Sequence, residues 1–273
     1  MRHSWSLLLA ASIGVAAPAY AADMPVKAAP LAPVYDWSGF YLGGHVGYAW
    51  VDPAANFNPA AVPIGLPLFV VSTATSTPPF SLSLSERGWL GGVQGGYNWQ
   101  NRNWVYGFEA DVSFPHLEGS ASSNFLVNAT FGGDAANFSG TFLFTHEIEL
   151  FGTLRGRLGY AAGNWLLYAT GGFAWARVES SIASTNFAPV NSVFPTGFPT
   201  GFAGMASSND TMYGFAVGAG AEWALAPNWW LRGEYLFIDL TDGGTPLSIT
   251  GGTFADPRLE INVARVGLSY RFR

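Results

Sequence analysis

The segment "WVYGFEADVSF", residues 104–114, sorts its side chains by parity. Trp104, Tyr106, Phe108, Ala110, Val112 and Phe114 fall on one side, Val105, Gly107, Glu109, Asp111 and Ser113 on the other. Successive residues of a strand point to opposite faces, so one face here is wholly apolar while the other carries two carboxylates. The same alternation recurs in "WSGFYLGGHVGYAW" (37–50), "RGWLGGVQGGYNWQ" (87–100), "IELFGTLRGRLGYA" (148–161) and "WLLYATGGFAWA" (165–176). It continues in "TMYGFAVGAGAEWAL" (211–225), "WWLRGEYLFID" (229–239) and the terminal "RVGLSYRFR" (265–273). In the fourth segment in chain order Ile148, Leu150, Leu154, Leu158 and Tyr160 oppose Thr153, Arg155 and Arg157; the last three direct Glu222, Arg232, Glu234, Arg265 and Arg271 away from their apolar sides.

Eight alternating segments predict an all-β protein of antiparallel hairpins. The connections "NRN", "AGN" and "APN" are tight, whereas the gaps at about 51–86, 115–146, 179–210 and 241–258 are long. Short turns at one end with long loops at the other is the asymmetry of an up-and-down transmembrane β-barrel, the turns periplasmic and the loops extracellular. Composition fits: only 11% of the 273 residues are charged, 16% are aromatic, and mean hydropathy is +0.21. The absence of Cys removes disulfides and thiolate metal sites, and sparse Lys and Arg at a net charge of −6 argue against a nucleic-acid partner.

A secreted soluble barrel with an apolar inside is the rival arrangement, and the position of the aromatics decides between them. On the apolar faces, Trp50, Trp89, Phe114, Trp175, Tyr213 and Phe237 collect at the long-loop end. Phe40, Trp99, Trp104, Tyr160, Trp165, Trp223, Trp229 and Phe272 collect at the short-turn end, with mostly Leu, Val, Ala and Gly between. Two aromatic girdles bracketing an aliphatic band match a bilayer, whereas a soluble core concentrates its bulk centrally. The predicted barrel spans 37–272. Ahead of it, residues 1–21 read as a secretory signal peptide, basic at Arg2, apolar to Ala17 and small at Ala19 and Ala21. Residues 22–36, rich in Pro and Ala, read as a periplasmic leader or linker.

The apolar faces leave Glu109, Asp111, Arg155, Arg157, Glu222, Arg232, Glu234, Arg265 and Arg271 pointing into the lumen. Eight strands enclose an interior that side chains just fill. Two readings stay open: a structural network of ion pairs that plugs the barrel, or a narrow ion path helped by inward glycines such as Gly92, Gly96 and Gly220. Catalysis finds little support. The mature chain has only His45, His116 and His146, with no metal-ligand spacing, no cofactor-binding pattern and no Ser-His-acid arrangement that spacing alone supports. A separate candidate is an apolar loop patch, Phe194, Phe198 and Phe202 in "VFPTGFPTGFAGM", offering a contact for a host or envelope partner or a ligand.

Taken in order, "WSGFYLGGHVGYAW", "GVQGGYNWQNRNWVYGFEADVSF", "LFGTLRGRLGYA", "LLYATGGFAWA", "LRGEYLFIDL" and "ARVGLSYRF" resemble the RopB-like small outer-membrane proteins of alphaproteobacteria, the outer-membrane immunogenic proteins. The resemblance covers the strands and little of the loops. It implies an eight-stranded barrel similar to the membrane domain of OmpA, located in the cell outer membrane among its lipids and lipopolysaccharide. It also implies a terminal aromatic strand read by the outer-membrane assembly machinery, although here Arg273 follows the customary final Phe272. The function this implies is a structural envelope component that presents loops outside. A porin, or a loop-based adhesin or haem-binding receptor, are the alternatives.

Overall fold

The computed structural model describes residues 35–51, 54–59, 71–75, 80–83, 86–131, 134–189, 204–249, 252–255 and 258–272. The strands in chain order are β1 (Gly39–Val51), β2 (Ala54–Pro59), β3 (Val71–Thr75), β4 (Phe80–Ser83), β5 (Glu86–Asn101), β6 (Trp104–Pro115) and β7 (Leu117–Phe131). They continue with β8 (Asp134–Ala162), β9 (Trp165–Pro189), β10 (Met205–Ala226), β11 (Trp229–Asp242), β12 (Leu247–Ile249), β13 (Gly252–Ala255) and β14 (Leu259–Arg271). Eight of them, β1, β5, β6, β8, β9, β10, β11 and β14, hydrogen-bond in a closed ring. The ring shuts where β14 returns antiparallel to β1, from Tyr41↔Arg271 to Val51↔Ile261. Closure leaves these strands no unpaired edge, the condition for crossing hydrocarbon.

Tight turns at one end fix the register. Arg102-Asn103, Gly163-Asn164 and Pro227-Asn228 are each two-residue turns, and Gly163 sits at φ 62°, in the left-handed region where a missing Cβ avoids a clash. Each turn ends in Asn, whose backbone carbonyl accepts from the next hairpin: Ala161 N to Asn103 O at 2.7 Å, Ala224 N to Asn164 O at 2.9 Å, Arg271 N to Asn228 O at 2.8 Å.

The outer face carries the apolar band expected from parity. Leu42, Val46, Val93, Leu154, Leu158, Leu167, Val217 and Val266 are exposed. At the short-turn end the rings touch in sequence, with Phe40 to Phe272 at 5.6 Å, Tyr270 to Trp229 at 5.0 Å, Trp104 to Tyr160 at 5.6 Å and Trp165 to Trp223 at 5.9 Å. A second belt, including Tyr48 to Trp89 and Phe173 to Tyr213, lies toward the long loops.

Two features depart from the expectation. The segments predicted as loops are in good part strand: β7 pairs with the upper half of β8 from Leu117↔Ile148 to Phe131↔Asp134, so the second hairpin continues beyond the barrel rim. Strands β2 and β4 from the first long connection join β12 and β13 from the last in a separate four-stranded sheet. The other departure is Ile148, predicted on the apolar outer face and found buried inside. A bulge between Ile148 and Leu150 inserts one residue opposite β9 and reverses the parity of everything above it. Phe142, Phe144, His146 and Ile148 therefore face inward, in step with Phe151, Thr153 and Arg155 below. Phe194, Phe198 and Phe202, and the predicted signal peptide, lie outside the described residues.

Outward parity at the centre of the band makes a direct prediction. Leu154→Arg places a guanidinium against hydrocarbon and lowers unfolding free energy in lipid vesicles by about 2–4 kcal/mol, read by urea titration; an unchanged midpoint contradicts the assignment of that face.

Candidate functional site

All eight barrel strands contribute to one polar layer across the middle of the lumen. Strand β6 supplies Glu109 and Asp111, β8 supplies Arg155 and Arg157, β10 Glu222, β11 Arg232 and Glu234, and β14 Arg265. Every one of these is at most 5% exposed. The ladder sets several pairs directly opposite one another, Glu109↔Arg155, Glu222↔Arg232 and Glu234↔Arg265. Opposite charges facing each other across a ladder stabilise that register, and a one-residue slip of any strand drives that strand's charges to the outer face.

Other bonds cross the lumen. Arg155 is the hub: Nη2 reaches Glu109 Oε1 at 2.8 Å and Asp111 Oδ2 at 2.9 Å, and Nη1 reaches Glu234 Oε1 at 3.0 Å. Arg265 bridges Asp111 at 2.8 Å and Glu234 at 2.5 Å, and Arg232 bridges Glu109 at 2.6 Å and Glu222 at 2.8 Å. Arg157 pairs with Glu222 at 2.9 Å and lies over the Tyr168 ring at 4.2 Å. Four guanidiniums thus meet four carboxylates, and the layer is electrically neutral. Tyr41 and Tyr168 donate hydroxyl hydrogen bonds to Glu109 and Glu234 at 2.5 and 3.0 Å, and Thr153 donates to Asp111.

Strands β1 and β5 join through uncharged groups. The His45 ring bonds through Nδ1 to Gln94 Oε1 at 2.5 Å and through Nε2 to Ser113 Oγ at 2.9 Å. Gln94 Nε2 donates on to Ser269 Oγ at 3.3 Å. The tautomer with hydrogen on Nδ1 satisfies this arrangement, since Gln94 Oε1 only accepts. Side chains of the layer fold over three of the inward glycines. A Cβ at Gly92 meets His45 Nε2 at 2.5 Å, at Gly96 the Tyr41 hydroxyl at 2.7 Å, and at Gly220 the Tyr168 hydroxyl at 2.6 Å. The absent side chains are the room into which the polar rings fold.

Arg271, grouped with the lumenal network by parity, does not reach those carboxylates. Although buried, it sits at the short-turn mouth, where Nη2 donates to Pro227 O at 2.8 Å and Nη1 to Ser38 O at 3.4 Å, with Asp36 Oδ2 at 3.9 Å. The strands are long enough to put five residues of β14 between Arg265 and Arg271, so one side chain belongs to the middle and the other to the base.

Sequence reasoning missed what lies above and below the ions. Toward the long loops the lumen is filled by Leu90, Ile148, Phe151, Leu236, Ile238, Ile261, Val263 and their buried neighbours. Toward the short turns it is filled by Trp37, Tyr41, Val105, Ala161, Leu166, Ala224 and Trp230. The signal was present in "YLFIDL", where Leu236 and Ile238 are apolar on the face opposite Tyr235 and Phe237. Above the upper apolar layer, buried His146 bonds through Nδ1 to Glu86 Oε1 at 2.9 Å, and His116 is exposed. Among the described residues no three His, Asp or Glu gather as a metal site.

The family described as "Outer membrane protein beta-barrel domain" matches residues 7–272 of this sequence. A 31 kDa outer-membrane immunogenic protein of Brucella melitensis is 33% identical over 264 residues, 93% of each chain. A 22 kDa outer membrane protein of Rhizobium leguminosarum is 26% identical over 244 residues, covering 89% of this chain and 82% of that one. Among solved structures, OprG from Pseudomonas aeruginosa aligns over 86% of this chain and 97% of its own, at 12% identity and a TM-score of 0.41.

The hub position of Arg155 predicts a large effect. Arg155→Met removes a guanidinium that Glu109, Asp111 and Glu234 share and leaves four buried carboxylates facing three guanidiniums, and unfolding of the refolded barrel in urea should show a loss of about 3–5 kcal/mol; a loss below about 1 kcal/mol, the range of exposed ion pairs, contradicts the burial described.

Proposed function

The chain belongs to the outer-membrane protein β-barrel domain family, and from that premise we propose that it is a non-catalytic structural component of the outer membrane whose lumen is closed. The observation that carries this reading is the neutral layer of Glu109, Asp111, Glu222 and Glu234 with Arg155, Arg157, Arg232 and Arg265, held between two apolar layers. Beyond the His146–Glu86 pair toward the long loops and Arg271 at the short-turn mouth, an ion has an apolar layer to cross before it reaches the central charges, and those are paired with one another. Desolvating an ion without a compensating partner is strongly unfavourable. Removing one member of the buried layer is also costly, so the layer works as a lock on strand order.

The outer face sets the environment: lipid along the aliphatic band, with lipopolysaccharide proposed around the outer belt. The terminal strand, with the exposed Phe272 that follows it, is proposed as the segment the assembly machinery reads, after removal of residues 1–21 as a signal peptide. The long connections are proposed as the surface offered outside the cell, where a host or envelope partner would bind. The competing reading is a small-solute or ion pore. Against it stand the side chains folded over Gly92, Gly96 and Gly220, which occupy the space a path needs.

Conductance separates the two. Refolded protein in a planar bilayer, with folding verified by heat-modifiable gel mobility, is expected to give no stable single-channel steps. Large, long-lived steps from the folded species overturn the closed-lumen reading.

A further inference from the structure

The chain ahead of β1 does not simply hang from the barrel. Residues Tyr35 to Ser38, not in strand, lie at the short-turn mouth, and Trp37 is fully buried. Its ring packs edge-on against Trp230 at 5.7 Å and against Tyr35 at 4.7 Å, while Trp230 in turn meets Tyr41 at 5.3 Å. Trp37 thereby forms part of the lower apolar layer with Val105, Ala161, Leu166 and Ala224. An indole is large enough to cover much of an eight-stranded base.

Polar contacts hold this segment to several separate parts of the rim. Trp37 N donates to Gln100 Oε1 at 2.7 Å and Gln100 N to Ser38 Oγ at 3.1 Å, tying it to the end of β5. Arg271, on the last strand, completes the attachment: it donates to Ser38 O and to Pro227 O of the β10–β11 turn, faces Asp36, and lies over the Tyr35 ring at 5.1 Å. This accounts for a buried arginine that takes no part in the central layer.

We infer that Tyr35–Ser38 is a periplasmic strap, with Trp37 as its plug and Arg271 as its latch, that seals the base of the lumen independently of the ion-pair layer. Because Arg271 stands on β14 while the segment it grips leads into β1, the latch forms only once the last strand has closed on the first. Sealing of the base then follows barrel closure. The strap is not strand, so no ladder holds it, and it opens when its ring contacts and hydrogen bonds to the rim are removed, while the ladders above it persist.

The absence of Cys makes the test clean, since one introduced thiol is unique. Val105→Cys places a thiol in the lower layer behind Trp37, and Leu236→Cys places one in the upper layer beyond the ions. Labelling by N-ethylmaleimide is followed on the refolded, full-length mature protein, confirmed folded by heat-modifiable mobility and normalised to the rate in denaturant. With the native strap both thiols are expected to react slowly. Adding Arg271→Ala is expected to speed labelling at position 105 about tenfold or more, because lost charge-assisted hydrogen bonds shift a local opening equilibrium by that order. Trp37→Ala is expected to do at least as much and Trp37→Phe less, with position 236 unchanged throughout. Fast labelling at 105 with the native strap, or no acceleration in either alanine variant, overturns the strap. Equal acceleration at 236 shows general loosening and overturns it as well. Conductance is not read here, so failure of the strap is distinguishable from failure of the closed-lumen reading.

Discussion

A strand inside a bilayer has no water to satisfy its edges, so the ladder between β1 and β14 is the contact on which everything else depends. Each unpaired amide or carbonyl in hydrocarbon costs several kcal/mol, and the residue pairs from Tyr41↔Arg271 to Val51↔Ile261 remove that cost from both free edges together. Once the ring is closed at eight strands, the interior has a fixed, small cross-section. Side chains on the odd or even positions of each strand must then fill it without leaving a charge unmatched.

The interior follows from this constraint. Charges cannot face lipid, and inside a narrow lumen they cannot be well hydrated, so they are neutralised against one another. Ladder neighbours such as Glu234 and Arg265 fix adjacent strands, and bonds across the lumen, such as Arg155 to Glu234, fix strands that never touch. Aromatic and aliphatic residues pack in the lumen above and below. The same closure brings Arg271 next to the segment leading into β1, where it grips Ser38 and faces Asp36.

Parity made much of this legible. A strict period of two places Glu109, Arg155, Glu222 and Arg265 inside, and the same period places Leu154 and Val217 outside, without any knowledge of contacts. What parity cannot carry is a change of phase. The bulge at Glu149 adds one residue to β8, and reading straight through it sends Ile148 to the wrong face. Nor does parity report height along the barrel, which is why Arg265 and Arg271 looked equivalent although one serves the middle and the other the base. Trp37 was read as the first residue of a strand because its spacing fits; in the structure it precedes β1 and fills the lumen. The upper apolar layer was hidden because strands apolar on both faces give no alternation to read.

Whether the ion-pair layer truly spans the lumen is tested most directly by a double-mutant cycle on Arg155 and Glu234, which lie on β8 and β11 with two strands between them in the ring. Urea unfolding of Arg155→Met, Glu234→Gln and the double variant in one vesicle composition yields their coupling. The account predicts a coupling toward the upper part of the 0.5 to 3 kcal/mol range, roughly 1.5 kcal/mol or more, found for residues sharing one ion-pair network. Additive effects, with coupling near zero, would contradict it.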